Sequence, residues 1–424
     1  MTPELLQSSI NMLWIMLGTI LVFFMHAGFA MVESGFTRSK NTVNILMKNF
    51  ITVSIASLLY FVVGYALMFG ESFNGLIGTS GFALAGVDDI AFFVFQAVFA
   101  ATAATIISGA VAERMKLSAY FVLTIAMVTV IYPVVGHWIW SGGWLAQLGF
   151  IDFAGSTVVH LTGATGALVA AAILGPRIGK YTGKKVNVIP GHSIPLGALG
   201  VFILWLGWFG FNGASTLAAD PAVVPSIITN TLLAASAGVV STALYTKLRY
   251  GQIDASLTLN RALSGLVGIT AGAANVSLPS AIIIGFIAGI VMTEGIRLLD
   301  AKLRVDDPVG AITVHGIIGV WGTLAVGLFD TASGLFTTGS VSLLAVQAVG
   351  IIAVIAWVSV STAGVVLVTK AISGIRVSEE EEVTGLDYVE HGTSAYEVRE
   401  TYGAAFDRTE PFAQRLTELG KSYS

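Results

Sequence analysis

Two histidines carry the chemistry this sequence offers. Residues 152–160 read DFAGSTVVH and residues 307–315 read DPVGAITVH. The two stretches share Asp at the first place, Gly at the fourth, Val at the eighth and His at the ninth. His160 and His315 are 155 residues apart, and each lies eight residues into a long apolar segment, about 12 Å along a helix. A single histidine in such a segment is often a hydrogen-bonded packing residue. A matched pair in an internal repeat is different, because an ionisable group in hydrocarbon is costly and by default marks function. A neutral imidazole offers one donor and one acceptor, so two joined rings can relay a proton or hold a small polar molecule in line.

A second set is aromatic. Phe95 and Phe99 stand four apart and share a helix face, as do Trp208, Phe211 and Ser215. Trp140 and Trp144 follow an apolar run at its boundary. Taken singly, these are packing residues or interfacial belt tryptophans. With Asn212 and Ser215 beside Phe211, aromatic faces and a hydroxyl together suit a small cation, through cation–π attraction and hydrogen bonding.

The elements that must position these groups are apolar. Of 424 residues 55% are hydrophobic and 11% charged, and the mean hydropathy is +0.83. Soluble domains carry about 25% charged residues, so this is a polytopic membrane protein, all-α by expectation. The 48 glycines suit close helix packing, and the absence of cysteine removes disulfide and thiol chemistry. MTPELLQSSINMLW has no basic region ahead of its apolar run, so the first helix is expected to be retained. Eleven spans are expected: 10–32, 44–69, 90–112, 117–138, 156–175, 194–212, 223–246, 258–275, 280–299, 309–329 and 341–370. Loops 70–89, 140–155, 213–222, 276–279 and 330–340 hold no Lys or Arg, and all 21 basic residues fall on the opposite side. This segregation orients the chain N-terminus out and C-terminus in. The outer loops carry Glu71, Asp88, Asp89, Asp152, Asp220 and Asp330, ordinary solvation or an acidic vestibule that concentrates a cation.

With that count the repeat is inverted. His160 sits on the fifth span, running inward, and His315 on the tenth, running outward. Two five-helix halves, 1–175 and 176–330, then enclose a midplane site, with an eleventh helix within 331–370 and a cytoplasmic regulatory tail, 371–424. The tail opens on four acids, Glu379 to Glu382, and reads as a solvated end, although GLDYVEHGTSAYEV (385–398) has a composition that can dock on a surface. His26 lies on the first span and matches no ligand motif, His137 beside Trp138 reads as interfacial, His192 as a loop residue, and Glu113 with Arg114 as a structural pair at a helix end. With no other His or acid near the pair in mid-span, no metal or other cofactor is expected.

At these motifs the chain resembles a known family. FQAVFA (95–100), VAERMKLSA (111–119), GGWLAQLGFIDFAGSTVVH (142–160), GWFGFNGAS (207–215), RVDDPVGAITVHG (304–316) and RVSEEEEVTGLDYVEHGTSAY (376–396) are similar to the ammonium transporter, methylammonium permease and Rhesus superfamily, in its prokaryotic ammonium branch. The resemblance implies a trimer of eleven-helix protomers, each with its own pore, in the plasma or inner membrane. It implies an outer recruitment site at Trp140, Ser215 and Phe99, a phenyl gate at Phe99 and Phe211, and twin pore histidines at His160 and His315. Asp152 falls at the pore mouth as a structural or proton-path residue, and Phe95, Tyr132 and Trp208 at further pore positions. Ile312 stands where bacterial members often have Phe, and Gly310 where some have an acid. The resemblance implies ammonium recruited, deprotonated and passed as ammonia with net proton transfer. The alternatives are an ammonium sensor signalling through its tail, or a passive ammonia gas channel. The implied partners are ammonium, a PII signalling protein and the lipid bilayer, with no nucleic acid, and no enzyme activity is expected.

Overall fold

In hydrocarbon every backbone N–H and C=O must be satisfied within its own segment, and long apolar runs do this as helices. The computed structural model describes residues 2–396, apart from the side chains of residues 256 and 257. Ten of its helices are long and apolar enough to cross a membrane. They are α1 (Pro3–Phe36), α2 (Ser39–Phe69), α3 (Ile90–Ala110), α4 (Leu117–Gln147), α5 (Ser156–Leu174), α6 (Ile194–Thr216), α7 (Val224–Tyr250), α9 (Leu278–Leu303), α10 (Ile312–Phe329) and α11 (Ser342–Ser373). The run expected at 258–275 is a shorter helix, α8 (Ala255–Thr270), which gives way to turns through 271–275. Its 16 residues reach about 24 Å, short of a hydrocarbon core of about 30 Å. It packs among α6, α7, α9 and α10, and its residues 260–271 are buried.

Helix starts are written in the sequence. Thr2, Asp89, Ser193 and Ser277 each accept a bond from a backbone N–H three residues on, and proline follows three of them. Glycine lets α1 and α6 approach closely. A Cβ at Gly35 would meet the Gly197 nitrogen at 2.4 Å, and one at Gly200 would meet the Val32 nitrogen at 2.5 Å. The all-α expectation needs one amendment. The loops carry two small antiparallel hairpins, β1 (Ser72–Phe73) with β2 (Ile77–Gly78) and β3 (Tyr181–Thr182) with β4 (Lys185–Val186).

The tail is not a solvated end over its described part. A capping box at Ser378 and Glu381 starts α12 (Glu379–Thr384), and α13 (Leu386–His391) follows. Both lie against the body. Glu382 accepts from the Ile178 N–H at 2.7 Å and from Arg376 at 2.7 Å, and Asp387 accepts from the Asn44 N–H at 2.8 Å. Lys40 donates to the Glu382 and Val383 carbonyls, and Tyr396 meets His192 at 2.8 Å. The rest of the expected tail, 397–424, lies outside the described residues.

Two polar expectations change. Glu113 pairs not with Arg114 but with Arg38 at 2.6 Å and Arg177 at 3.1 Å, and Arg177 also holds Asp306 at 2.9 Å. Arg114 points the other way, donating to the carbonyls of Ala110, Ala112, Gly175 and Asp306. His137 is not interfacial: it is buried, with one ring nitrogen on the Met68 carbonyl and the other on Ser72. Lys48 lies within the expected span 44–69 and is fully buried within α2.

Candidate functional site

The two histidine motifs fold alike. Asp152 accepts from the N–H groups of Gly155, Thr157 and Val158 at 2.8–2.9 Å. Asp307 accepts from Gly310, Ala311 and Ile312 at 2.7–3.1 Å. Each carboxylate thereby satisfies the free donors of the helix start that follows it. The shared glycine is explained too, since Gly155 (φ +119°) and Gly310 (φ +78°) both sit in the left-handed region. An acid at position 310 would be strained there. Beyond each glycine the chain winds as a π-helix, Ser156–Leu161 and Ile312–Ile317, and each histidine sits inside it. Such wide turns recur at functional sites because they re-aim side chains. Burial pushes both aspartates up to about 6, against the N–H bonds that favour their charged forms.

The geometry brings His160 and His315 together at mid-molecule. Their Nδ1 atoms are 3.1 Å apart and their rings are nearly parallel. One Nδ1 must therefore carry the proton that the other accepts. The His160 Nε2 has no hydrogen-bond partner. Trp208 lies flat on His160 at 5.1 Å, its indole N–H bonded to Thr270 at 2.8 Å, and Phe29 lies 6.0 Å from His315.

The aromatic set continues this line. Phe211 is 5.5 Å from His160, and Phe99 stacks on Phe211 at 4.1 Å. Phe95 is 4.6 Å from Phe99, and Trp140 meets Phe99 edge-on at 6.2 Å. The half-buried Trp140 begins the column and the buried histidines end it, so access narrows from Trp140 inward. The Trp140 indole donates to the Asp152 carbonyl at 2.7 Å, and Ser215 donates to the Phe211 carbonyl at 2.7 Å. Ser215 is partly exposed near the end of α6, and its hydroxyl oxygen keeps acceptor capacity while it donates. Tyr132 and Asp152 stand apart from the imidazole pair: Tyr132 is fully buried with its hydroxyl unbonded, and the Asp152 carboxylate is taken up by backbone.

Sequence reasoning passed over one group. Glu33, near the end of α1, is 2% exposed and lines a cavity that His315 also lines. The signal was a lone acid inside the apolar run AMVESGF.

A helical bundle with ten segments, among the described residues, long and apolar enough to cross a membrane, closed around a buried aromatic and imidazole column, points to a multi-pass membrane protein. The chain belongs to the Ammonium Transporter Family, whose model matches residues 13–396. It is 45% identical to the ammonium transporter Amt2 of Archaeoglobus fulgidus, over 93% of this chain and 89% of that one. It is 44% identical to the putative ammonium transporter sll1017 of Synechocystis, over 91% and 88%. Among solved structures it superposes on a protein titled Sensor Amt Protein with a TM-score of 0.88 and 40% identity, covering 92% of this chain and all of that one. Saccharomyces cerevisiae Mep2 superposes with a TM-score of 0.84 and 30% identity, covering 93% and 92%.

Proposed function

We propose that this protein moves ammonium across a cell membrane by taking it in at Trp140, Ser215 and Phe99, removing its proton, and passing ammonia along the histidine pair. The observation that carries the reading is the 3.1 Å imidazole contact directly beneath the stacked rings of Phe99 and Phe211. In this reading the two phenyl rings are the gate, and Phe95, Tyr132 and Trp208 line the pore. His160 and His315 relay the proton, and Asp152 anchors the helix that presents His160.

Energetics favour deprotonation. Taking an intact cation through hydrocarbon costs of order 20 kcal/mol in the ideal limit, and several kcal/mol after relaxation. An amine with a pKa of about 10 gives up its proton at pH 7 for about 4 kcal/mol. The aromatic mouth returns up to about 2 kcal/mol by cation–π attraction. Potassium and sodium have no proton to give up and stop at the gate. A proton that crosses separately makes the transport electrogenic.

The same reading counts α8 as the eleventh span, with the N-terminus outside and the C-terminus inside. It sets 1–175 and 176–330 as inverted halves, with α11 outside them and the tail as a regulatory element. It assembles the chain as a homotrimer in the plasma or inner membrane, and makes a PII-type protein the partner for the tail face. The supports are the matched Asp–Gly–π-helix–His arrangement in both halves and the docked tail.

The test is influx into liposomes holding the purified protein. Ammonium is expected to enter well above the rate of empty liposomes, and potassium not to. A specific observation favours one second reading: the likeness to the protein titled Sensor Amt Protein, together with a tail held by buried carboxylates. Ammonium binding without influx above empty liposomes overturns transport in favour of that sensor.

A further inference from the structure

Outside the aromatic column lies a second buried set of charged groups. Glu33 on α1 and Lys48 on α2 are 2% and 0% exposed, inside two of the helices apolar enough to cross a membrane. A buried pair of charges is a poor source of stability, since desolvation offsets its attraction. Ionisable groups at this depth mark ion or proton paths by default. The Glu33 Oε2 is held by Ser108 at 2.7 Å and by Asn49 at 3.2 Å. The Lys48 ammonium has no hydrogen-bond partner, lies 5.6 Å from the centre of the Tyr120 ring, and is attracted first by Glu33 and then by Glu390 of the tail.

Glu33 and His315 border the same cavity. Its other walls include Phe29, Val32, Val309 and Val314, with Asn260 as a further polar group. The centre of a water-sized molecule has about 20 Å³ to move in, enough for one such molecule. One ammonia therefore fits between an imidazole and a fixed carboxyl group, in a chamber walled mainly by hydrocarbon.

We propose that Glu33 is the proton-exchange group on the tail side of the pore, accepting the proton that the histidine pair delivers and returning it to ammonia in this cavity. The proposal rests on the transport reading above. In the exchange the carboxyl O–H bond breaks and a fourth N–H bond forms, leaving ammonium and a carboxylate. The proton taken from ammonium at the mouth, passed along His160 and His315, restores the carboxylic acid. One ammonium is lost on the far side and one is formed on the tail side, with no other reactant. Ser108 and Asn49 fix the carboxyl group at the cavity wall, and Lys48 supplies the buried counter-charge.

The experiment compares the wild-type chain with E33Q and E33D in liposomes, reading ammonium-evoked current and the thermal unfolding midpoint. E33Q keeps the acceptor for Ser108 but cannot exchange a proton. Its current is expected to fall on the order of 100-fold, the low end of what positioned acid–base groups contribute, with the midpoint unchanged. E33D withdraws the carboxyl by one methylene and is expected to recover part of the current, with a larger solvent isotope effect. Wild-type current in E33Q overturns the proposal, and so does a folded E33D as silent as a folded E33Q. Should E33Q not fold, E33D decides alone: undiminished current with an unchanged isotope effect overturns it. A wild-type chain that passes ammonia without current overturns the electrogenic reading and this proposal together, a result separable from any Glu33 variant.

Discussion

At the scale of single residues, the proposed transport makes the imidazole pair the group that decides what passes. Both rings are buried, 0% and 3% exposed, and they touch through Nδ1, so one ring donates and the other accepts. Fixed dipoles of this kind handle a neutral polar molecule well and a permanent cation badly. Replacing either His160 or His315 with Glu puts an anionic group in that position. Potassium-evoked current, near background in the wild type, is expected to rise at least about 10-fold, a loss of about 1.4 kcal/mol of discrimination. Unchanged selectivity would count against the relay. The meeting of the histidines was legible from the sequence, since two matched motifs put each histidine eight residues into its own apolar span. Glu33 was not: its run is short of charge and ends beside a basic loop, so it read as part of a boundary. His137 and Glu113 were misjudged for a related reason. Both bond to residues 60 or more positions away, which local spacing does not reveal.

At the scale of elements, each histidine depends on how its helix begins. An aspartate that binds three N–H groups, a left-handed glycine and a π-helix turn recur in both motifs. The repeated Asp and Gly were visible as letters, but the wide turn that aims the rings was not, because no residue type specifies it. The helix expected at 258–275 starts three residues earlier, at Ala255, and is cut short at Thr270 by a run of turns, while α1 and α4 run well past the spans expected at 10–32 and 117–138. The α1–α2, α3–α4, α5–α6 and α9–α10 connections are tied together by Arg38, Glu113, Arg177 and Asp306. Glu113 holds a left-handed backbone, φ +71°, a strained conformation for a residue with a Cβ. Burial alone would raise the Asp306 carboxyl, but its bonds to Arg177 outweigh this and hold it at about 2, below its ordinary 3.8. A lowered value means stability that is present above about pH 4 and lost as pH falls toward 2. Asp306→Asn is therefore expected to cost at least about 2 kcal/mol at pH 7 and progressively less below pH 4. Unfolding midpoints in detergent across that range test it. A deficit that does not shrink with falling pH would contradict the assignment.

At the scale of the whole molecule, the tail is joined by hydrogen bonds to α2 and to the start of α4. Glu390 on α13 accepts the Leu117 N–H at 2.9 Å and also bonds the Asn44 side chain, while Asp387 bonds the Asn44 backbone. Asn44 lies on α2, one turn before Lys48, and Glu390 and Glu33 both attract Lys48. The four-acid run suggested a solvated end because charge density is read locally. Only one of those acids, Glu382, turns inward, 1% exposed, to bind Ile178 and Arg376. Glu382→Gln keeps the shape but removes the charge opposite Arg376. It is expected to open residues 379–396 to protease several-fold faster while leaving the helices intact. Equal cleavage rates would contradict a docked tail held by that contact.

The central claim is that the ion surrenders its proton before the narrow passage and that the proton crosses by its own route. Current recorded from purified protein in liposomes on adding ammonium, with potassium as control, tests this most directly. The account predicts a current of inward positive charge with ammonium and none with potassium. Electrical silence while ammonia still crosses, or equal currents from both ions, would contradict it.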